Sequence, residues 1–220
     1  MIREQWYAVL SSREVKRGRL TAVTRMGEQL LFWRSEPGKP SCAFDRCIHR
    51  GVALSAGKLV HGNVQCPFHG LEYNANGACV FIPANGKATK PADYYQLDMY
   101  PCEERQGFIW IYWGSKKEGI GEPPFFPDID NTFYYSEFKD HWATHYSRAI
   151  ENQLDVVHLP FVHHNTIGRG FRTVVNGPVV KSEGEAVQIW VYNERDEGQA
   201  PKKADELPAP QREQIGRAHV

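Results

Sequence analysis

Two short segments, Cys47-Ile48-His49-Arg50-Gly51 and Cys66-Pro67-Phe68-His69-Gly70, decide how this 220-residue sequence folds. Each begins with a cysteine, places a histidine two or three residues later and ends on a glycine. Thiolates and imidazoles are metal ligands, and glycine permits the tight backbone turn that brings spaced ligands together. The repeated pattern therefore predicts two ligand-bearing loops around one metal centre.

Two metal chemistries use a pair of cysteines and a pair of histidines. A tetrahedral zinc site is one, but zinc fingers pair cysteine with cysteine and histidine with histidine. In a Rieske [2Fe-2S] cluster, two thiolates hold one iron and two imidazoles hold the other. The alternation of Cys47 with His49 and of Cys66 with His69 favours the Rieske arrangement. Four unrelated residues at these positions are a third interpretation.

The composition excludes several classes of function. Twenty-six basic and 26 acidic residues give a net charge of zero, whereas nucleic-acid and anionic-membrane binders normally carry a basic excess. No stretch approaches about 18 apolar residues, and Met1–Trp6 shows no apolar segment after a basic start, so neither a membrane span nor a secretory signal is expected. Five cysteines, an odd number, argue against a disulfide scaffold. The expected location is the cytoplasm.

The residues on either side of the two loops predict an all-β domain over positions 1–115. Trp6–Leu10, Gln29–Trp33 and Phe108–Trp113 are rich in β-branched and aromatic residues, and turn residues separate them. The glycines and prolines between Gly114 and Pro127 predict a linker.

Positions 116–220 predict an incomplete α+β domain. A strand is expected near Phe133–Tyr135, followed by a helix from Tyr146 to Val157 that Pro160 ends or kinks. Further strands are expected between Val174 and Tyr192. The predicted fold class is therefore α+β, with the all-β domain first.

A second group of metal-ligating residues follows in the helical region. His158 and His163 are five positions apart, which on a straight helix would aim them about 140° apart, but Pro160 allows the second imidazole to turn back. Two imidazoles and one carboxylate form the facial triad of non-heme Fe(II) oxygenases. The alternative is a helix C-terminus, whose dipole favours histidines.

The two Cys-and-His segments resemble the Rieske domain of the Rieske non-heme iron oxygenases, and the resemblance extends from about Trp6 to at least Arg169. The run Asn-x-x-Asp-x-x-His-x-x-x-x-His, from Asn152 to His163, is similar to the mononuclear-iron motif of that family. The resemblance implies a [2Fe-2S] cluster, a mononuclear Fe(II) and a carboxylate that hydrogen-bonds a Rieske histidine of a neighbouring subunit and relays electrons. These roles fall on Cys47, His49, Cys66 and His69 for the cluster, on His158 and His163 for Fe(II), and on Asp155 for the relay.

The resemblance also implies the function of a terminal oxygenase component. Electrons from NAD(P)H would arrive through a ferredoxin or flavin reductase, and O2 would be activated to hydroxylate or demethylate an organic substrate of aromatic type. A homotrimer would bring the cluster of one subunit beside the iron of the next. A Rieske ferredoxin that only carries electrons is the alternative, and it gives no role to the run from Asn152 to His163.

In this family the third iron ligand is an Asp or Glu on a later helix. Only 57 residues follow His163 in the 220-residue chain, and their carboxylates lie in strand-like or loop-like sequence. The final Ile215–Val220 resembles the translation of a DNA-sequencing adapter, so a truncated chain that holds close to two irons tightly is expected. The later carboxylates include Glu183, Glu185, Glu194, Asp196, Glu197, Asp205 and Glu206.

Overall fold

The computed structural model describes residues 2–36, 38–116, 118–125, 132, 136–184 and 186–207. The chain divides into two compact units, Met1–Phe133 and Tyr134–Val220. The strand expected near Phe133–Tyr135 and the terminal segment Ile215–Val220 lie outside the described residues, as does Glu185.

The described part of the first unit is built from short strands and single turns of 3-10 helix. In chain order the strands are β1 (Gln5–Ser11), β2 (Thr21–Arg25), β3 (Glu28–Glu36), β4 (Lys39–Phe44), β5 (Lys58–Val60), β6 (Asn63–Gln65), β7 (Glu72–Tyr73), β8 (Cys79–Phe81), β9 (Met99–Tyr100), β10 (Cys102–Arg105) and β11 (Phe108–Trp113). The 3-10 turns are Ser12–Glu14, Leu54–Ala56 and Pro83–Asn85.

The strands pair into three antiparallel sheets, in the orders β1-β11-β10, β2-β3-β4-β9 and β5-β6-β7-β8. The expected strands Trp6–Leu10, Gln29–Trp33 and Phe108–Trp113 lie within β1, β3 and β11, so the all-β character of this part of the chain is confirmed. The expected boundary between residues 115 and 116 falls just after β11, and the described residues from 114 to 125 form no helix or strand.

Strand β3 separates two hydrophobic cores. Leu30 and Phe32 pack into a core shared with β1 and β11, whereas Leu31 and Trp33 pack into the core that contains Cys47. All four β3 side chains are fully buried, because successive side chains of a strand point to opposite faces and both faces of β3 are covered. The core beneath the ligand loops therefore has a packed sheet behind it.

The described part of the second unit combines two short helices with a β-hairpin. Its elements are α1 (Tyr146–Leu154), α2 (Leu159–Val162), β12 (Val174–Glu183) and β13 (Ala186–Glu194), followed by a 3-10 turn at Ala204–Glu206. β12 and β13 pair antiparallel, so the strands expected in this region and the α+β class are confirmed. Among the described residues, no helix is both long and apolar enough to cross a membrane.

The expected helix from Tyr146 to Val157 is wrong at its C-terminal end. α1 ends at Leu154, because Asp155 adopts an extended backbone and its Oδ1 accepts a hydrogen bond from the Val157 N–H at 2.8 Å. Such a side-chain-to-backbone bond competes with continuation of a helix. Pro160 does not end α1 either: it lies in the first turn of α2, where its missing N–H leaves no intrahelical hydrogen bond unmade.

The substitution Leu54→Ala tests whether this side chain packs in the core beneath the ligand loops. Leu54 is fully buried in that core, so Leu54→Ala should lower the free energy of unfolding by about 2–5 kcal/mol, since the substitution leaves a cavity. Urea denaturation followed by tryptophan fluorescence measures the loss. Ile2→Ala is the control, because that side chain is 66% exposed, and it should change the free energy by less than about 0.5 kcal/mol. Equal losses in the two variants would contradict this core placement.

Candidate metal centres

The two Cys-and-His segments form loops with the same hydrogen-bond pattern. In the first loop the Cys47 N–H donates to the Val52 carbonyl at 2.8 Å, and the Gly51 N–H donates to the Cys47 carbonyl at 2.8 Å. In the second, the Cys66 N–H donates to the Leu71 carbonyl at 2.8 Å and the Gly70 N–H to the Cys66 carbonyl at 3.1 Å. Both loops are thus closed by a reciprocal pair of backbone bonds around the cysteine.

Glycine is required where each loop turns back. Gly51 and Gly70 have φ angles of 72° and 73°, in the left-handed region that side chains with a Cβ rarely adopt. At Gly70 a Cβ would also lie 3.0 Å from Pro83 Cγ. The terminal glycine of each segment is therefore a backbone requirement of the loop.

The loops bury their thiols and expose their imidazoles. Cys47 and Cys66 are only 2% and 3% exposed, and both belong to the core behind the loops. His49 and His69 are exposed, and their ring centroids are 4.7 Å apart. The structure therefore brings the two thiols together in the core and the two imidazoles together at the surface, with sulfur donors on the inside and nitrogen donors on the outside.

The buried thiols lie in surroundings that suit bound iron. Burial raises the pKa of the Cys66 thiol, while the backbone N–H groups of Phe68 and His69 lower it. A buried thiolate without a counter-charge is costly, and coordination to a cation removes that cost. The two N–H groups directed at Cys66 remain available to a coordinated sulfur.

A tyrosine that the sequence patterns did not single out contacts the first thiol. Tyr73 is fully buried, and its hydroxyl lies 3.3 Å from Cys47 Sγ. Burial, followed by the proximity of Cys47, raises the pKa of Tyr73 far above its ordinary value. The hydroxyl therefore keeps its proton and can donate a hydrogen bond to a Cys47 thiolate.

A buried carboxylate fixes the first loop to the chain that follows it. Asp45 is 7% exposed, and it accepts hydrogen bonds from the Ser55 N–H at 2.8 Å and from the Ser55 hydroxyl at 2.5 Å. These bonds bracket the loop from Cys47 to Val52. The sequence alone does not indicate that Asp45 and Ser55 interact, because their pairing depends on how the loop between them folds back.

The four ligands are arranged as two pairs, which fits a two-iron cluster. A tetrahedral zinc site needs four donors around one point. A Rieske cluster instead needs two thiolates at one end and two imidazoles at the other, as the loops present them.

The second group of predicted ligands also comes together. The rings of His158 and His163 have centroids 5.4 Å apart, and His158 Nδ1 lies 3.2 Å from Asp155 Oδ2. The Val157 N–H, and then His158, hold the pKa of the Asp155 carboxyl below its usual value. His158 Nδ1 is buried, and its approach to Asp155 lacks the geometry of a hydrogen bond.

The short helix α2 positions both histidines. His158 precedes its first residue and His163 follows its last, so a single helical turn separates the two imidazoles. Gly168 packs against the start of this turn, where a Cβ would lie 1.9 Å from the Leu159 carbonyl oxygen. Its N–H donates to the His163 carbonyl at 3.0 Å. The turn therefore depends on a glycine that the sequence patterns did not identify.

Three other histidines of the second unit, and two of its later carboxylates, lie elsewhere. The His164 ring directs Nδ1 to within 3.1 Å of the Phe161 carbonyl and lines a different cavity, beside Arg195. His141 and His145 are both exposed and precede α1. Glu183 and Glu194, which lie on β12 and β13, are also exposed.

Two family models match the two parts of this chain. Residues 5–101 match the Rieske [2Fe-2S] domain, and residues 142–220 match the vanillate O-demethylase oxygenase C-terminal domain. A chlorophyllide a oxygenase from Chlamydomonas reinhardtii is 35% identical over 170 residues, which are 77% of this chain and 26% of that protein. The oxygenase component of dicamba O-demethylase from Stenotrophomonas maltophilia is 31% identical over 166 residues, which are 74% of this chain and 48% of that protein.

A solved structure shares the architecture. Dicamba monooxygenase bound to 3,6-dichlorosalicylic acid matches with a TM-score of 0.72 and 26% identity, over 87% of this chain and 56% of that one. The chain spans between about a quarter and about half of the length of the curated relatives described above.

Tyr73→Phe should lower the reduction potential of the reconstituted cluster. A hydrogen bond to a ligand sulfur stabilises the more negative, reduced cluster, and phenylalanine cannot donate one. Redox titration followed by visible absorption measures the potential. Tyr100→Phe is the matched control, because Tyr100 is a buried tyrosine of the other core whose hydroxyl donates to Glu28. The same shift in both variants would show that the Tyr73–Cys47 contact does not tune the cluster.

Proposed function

This chain belongs to the Rieske non-heme iron oxygenases, and we propose that it contributes the cluster domain and the iron-binding histidines of a terminal oxygenase. The observation that carries the proposal is the presence of two separate sites in one chain. The exposed imidazoles of the first unit would hold a [2Fe-2S] cluster together with the two buried thiols. His158 and His163 of the second unit would hold a mononuclear iron.

A pure electron carrier has no use for the second site. In a Rieske ferredoxin the four cluster ligands would suffice, and nothing would require two imidazoles at the ends of one helical turn. The match of residues 142–220 to an oxygenase C-terminal domain supports the same choice. The oxygenase is therefore favoured over the ferredoxin.

The residues around each site would shield or orient the ligands of its metal group, the [2Fe-2S] cluster in the first unit and the mononuclear iron in the second. When bound, the cluster would supply one-electron transfer, and the mononuclear iron would supply O2 activation. The core behind the loops keeps water from Cys47 and Cys66, while His49 and His69 leave the outer edge of the site open to a partner. Asp155 would hold the His158 imidazole in one orientation, as carboxylates do beside metal-ligating histidines.

Electron transfer between the two sites is proposed to occur between subunits. Asp155 is half-exposed beside His158, so its carboxylate could accept a hydrogen bond from a Rieske histidine of a neighbouring subunit. A homotrimer would supply that neighbour to each subunit in turn. An NAD(P)H-dependent reductase or a ferredoxin is the proposed source of electrons.

The proposed substrate is an organic molecule, of aromatic type, that is hydroxylated or demethylated with O2. The names of the relatives, a chlorophyllide a oxygenase and a dicamba O-demethylase, support oxidation of an organic molecule. Since the chain spans less than two thirds of those proteins, the reaction of the whole protein is part of the proposal.

Iron analysis tests the two-site proposal. The reconstituted chain should retain close to two irons and two acid-labile sulfides after gel filtration, and should bind a further, weaker Fe(II) during equilibrium ultrafiltration. His158→Ala combined with His163→Ala should remove the weaker iron and leave the two tightly held irons and the Rieske absorption unchanged. The matched control is His141→Ala with His145→Ala, an exposed pair outside the site, and it should bind iron as the wild type does. A weak iron that survives in the first variant would refute the assignment of these ligands.

Asp155→Asn tests the proposed relay. The asparagine keeps the side-chain shape but removes the charge that faces His158, so reoxidation of the reduced cluster in iron-loaded protein should slow by orders of magnitude. Single-turnover stopped-flow absorption measures this rate, and the cluster spectrum should not change. Glu151→Gln removes a carboxylate that is paired with Arg148 on α1, and it should leave the rate near the wild-type value. Equal rates for all three proteins would exclude Asp155 from the relay.

A further inference from the structure

The second unit contains a cavity at the open end of its β-hairpin. The pairing of β12 with β13 ends where Val174 lies opposite Glu194. Thr173 precedes Val174 and Arg195 follows Glu194, so the two residues lie side by side just beyond the last pair. The cavity at this point has a volume of about 690 Å³, within the range of about 300–1,000 Å³ that is common for small-molecule sites. It is lined by His164, Gly168, Gly170, Phe171, Thr173, Arg195 and Asp196.

Arg195 presents an anchored guanidinium group to this cavity. Its Nε–H donates to the Gly170 carbonyl at 3.2 Å, which holds the planar group by one edge. Its two terminal nitrogens form no hydrogen bond or ion pair with the residues that the structure describes. Guanidinium groups pair with carboxylates through two parallel N–H···O bonds. The terminal nitrogens of Arg195 are therefore free to form such a pair with a ligand.

The charges around the cavity favour an anion. The segment 163–173, which supplies most of the lining, contains two arginines and no carboxylate. Arg172 Nε lies 3.9 Å from the position that a Cβ on Gly170 would take, so a second cation lies beside the cavity. Asp196 is the opposing charge, and its Oδ1 accepts a hydrogen bond from the Gly198 N–H at 2.9 Å. Since the guanidinium groups of Arg172 and Arg195 outnumber that one carboxylate, the local potential should be positive.

An exposed aromatic ring forms the apolar side of the cavity. Phe171 is 61% exposed, and it packs edge-to-face on Phe161 of α2, with ring centroids 5.6 Å apart. Its φ angle is 50°, in the left-handed region that bulky side chains rarely adopt. Strained backbone of this kind is concentrated at functional sites. The strain at Phe171 holds an aromatic ring outside any hydrophobic core, where the ring can pack against an aromatic ligand.

We infer that this cavity is a binding site for an aromatic carboxylate. The carboxylate would pair with the terminal nitrogens of Arg195, beside the Thr173 hydroxyl, and the ring of the ligand would pack against Phe171. The lining includes neither His158 nor His163, so a ligand bound here would lie outside the proposed iron site. The site is therefore additional to the two metal sites of the proposed function, and binding to it requires neither metal group.

The test is isothermal titration calorimetry of 2-naphthoate against the 220-residue chain without added Fe(II). Arg195→Gln should weaken binding about tenfold or more, because it removes a charged hydrogen-bond donor. Arg195→Lys keeps the charge but loses the two parallel bonds, so its affinity should lie between those of the wild type and Arg195→Gln. Arg148→Gln is the matched control, since Arg148 is paired with Glu151 on α1, and it should bind as the wild type does. Equal losses in the two glutamine variants, or no binding to the wild type at millimolar 2-naphthoate, would overturn the inference.

Two further variants should change the affinity in ways that damage to the fold would not. Asp196→Asn removes the opposing charge but keeps the oxygen that accepts from Gly198, so it should tighten binding about threefold. Phe171→Gly removes the ring and suits the left-handed backbone, so it should weaken binding about fivefold without lowering the urea midpoint of unfolding. Unchanged affinity in either variant would contradict the contacts assigned to the ligand.

Three probes of similar size identify the chemical class of the ligand. The neutral 2-naphthylmethanol should bind about tenfold more weakly than 2-naphthoate, because it cannot form the charged pair. Decahydro-2-naphthoate keeps the carboxylate but has no aromatic ring, and it should bind about threefold more weakly. The cation of 2-naphthylmethylamine should bind most weakly. If this amine bound more tightly than 2-naphthoate, Asp196 rather than Arg195 would select the ligand, and the inference would be overturned.

Variants of the iron imidazoles separate this inference from the proposed function. His158→Ala combined with His163→Ala should bind 2-naphthoate as the wild type does, because neither residue lines the cavity. If that variant lost binding while Arg195→Gln kept it, the acid would bind at the imidazoles, so the inference would be overturned and the proposed function would stand. If iron analysis found no weaker iron but binding still depended on Arg195, the proposed function would fail and the inference would stand.

Discussion

Burial of two thiols directly beneath two exposed imidazoles is the constraint on which the first unit depends. Cys47 and Cys66 can lie in a hydrophobic core only because each is carried on a loop closed by its own backbone hydrogen bonds. Strand β3 packs against the inner side of that core, and its side chains are fully buried on both faces of the strand. The redox site is therefore an extension of the hydrophobic core, with one edge open to solvent.

The same burial explains the polar groups found behind the loops. A buried tyrosine hydroxyl is costly unless it has a partner, and the Tyr73 hydroxyl finds one in the Cys47 sulfur. The Asp45 carboxylate is satisfied by the backbone and side chain of Ser55. These hydrogen bonds offset the free-energy cost of burying the polar groups, and they also restrain the ligand loops. The same contacts therefore stabilise the fold and fix the geometry of the site.

In the second unit a local interaction of one side chain sets the geometry of the candidate iron site. The bond from the Val157 N–H to Asp155 ends α1, and a new single turn then begins beside His158. An unbroken helix would have separated the directions of His158 and His163 by about 140°. Asp155 thus has two roles. Its Oδ1 accepts the hydrogen bond that ends α1, and its Oδ2 lies beside the His158 imidazole, which follows the end of that helix.

Much of this organisation follows from the sequence alone, because it depends on local pattern. The spacing in Cys47–Gly51 and Cys66–Gly70 is enough to predict the ligand loops, and apolar runs such as Gln29–Trp33 are enough to predict strands. The sequence also indicates that His158 and His163 act together, although it places the break at Pro160 when the structure ends α1 at Leu154. The contributions of Tyr73, Ser55 and Gly168 follow only from the tertiary structure. The physical reason is that burial, close approach and ion pairing depend on residues far apart in the chain, whereas spacing and propensity are properties of neighbours.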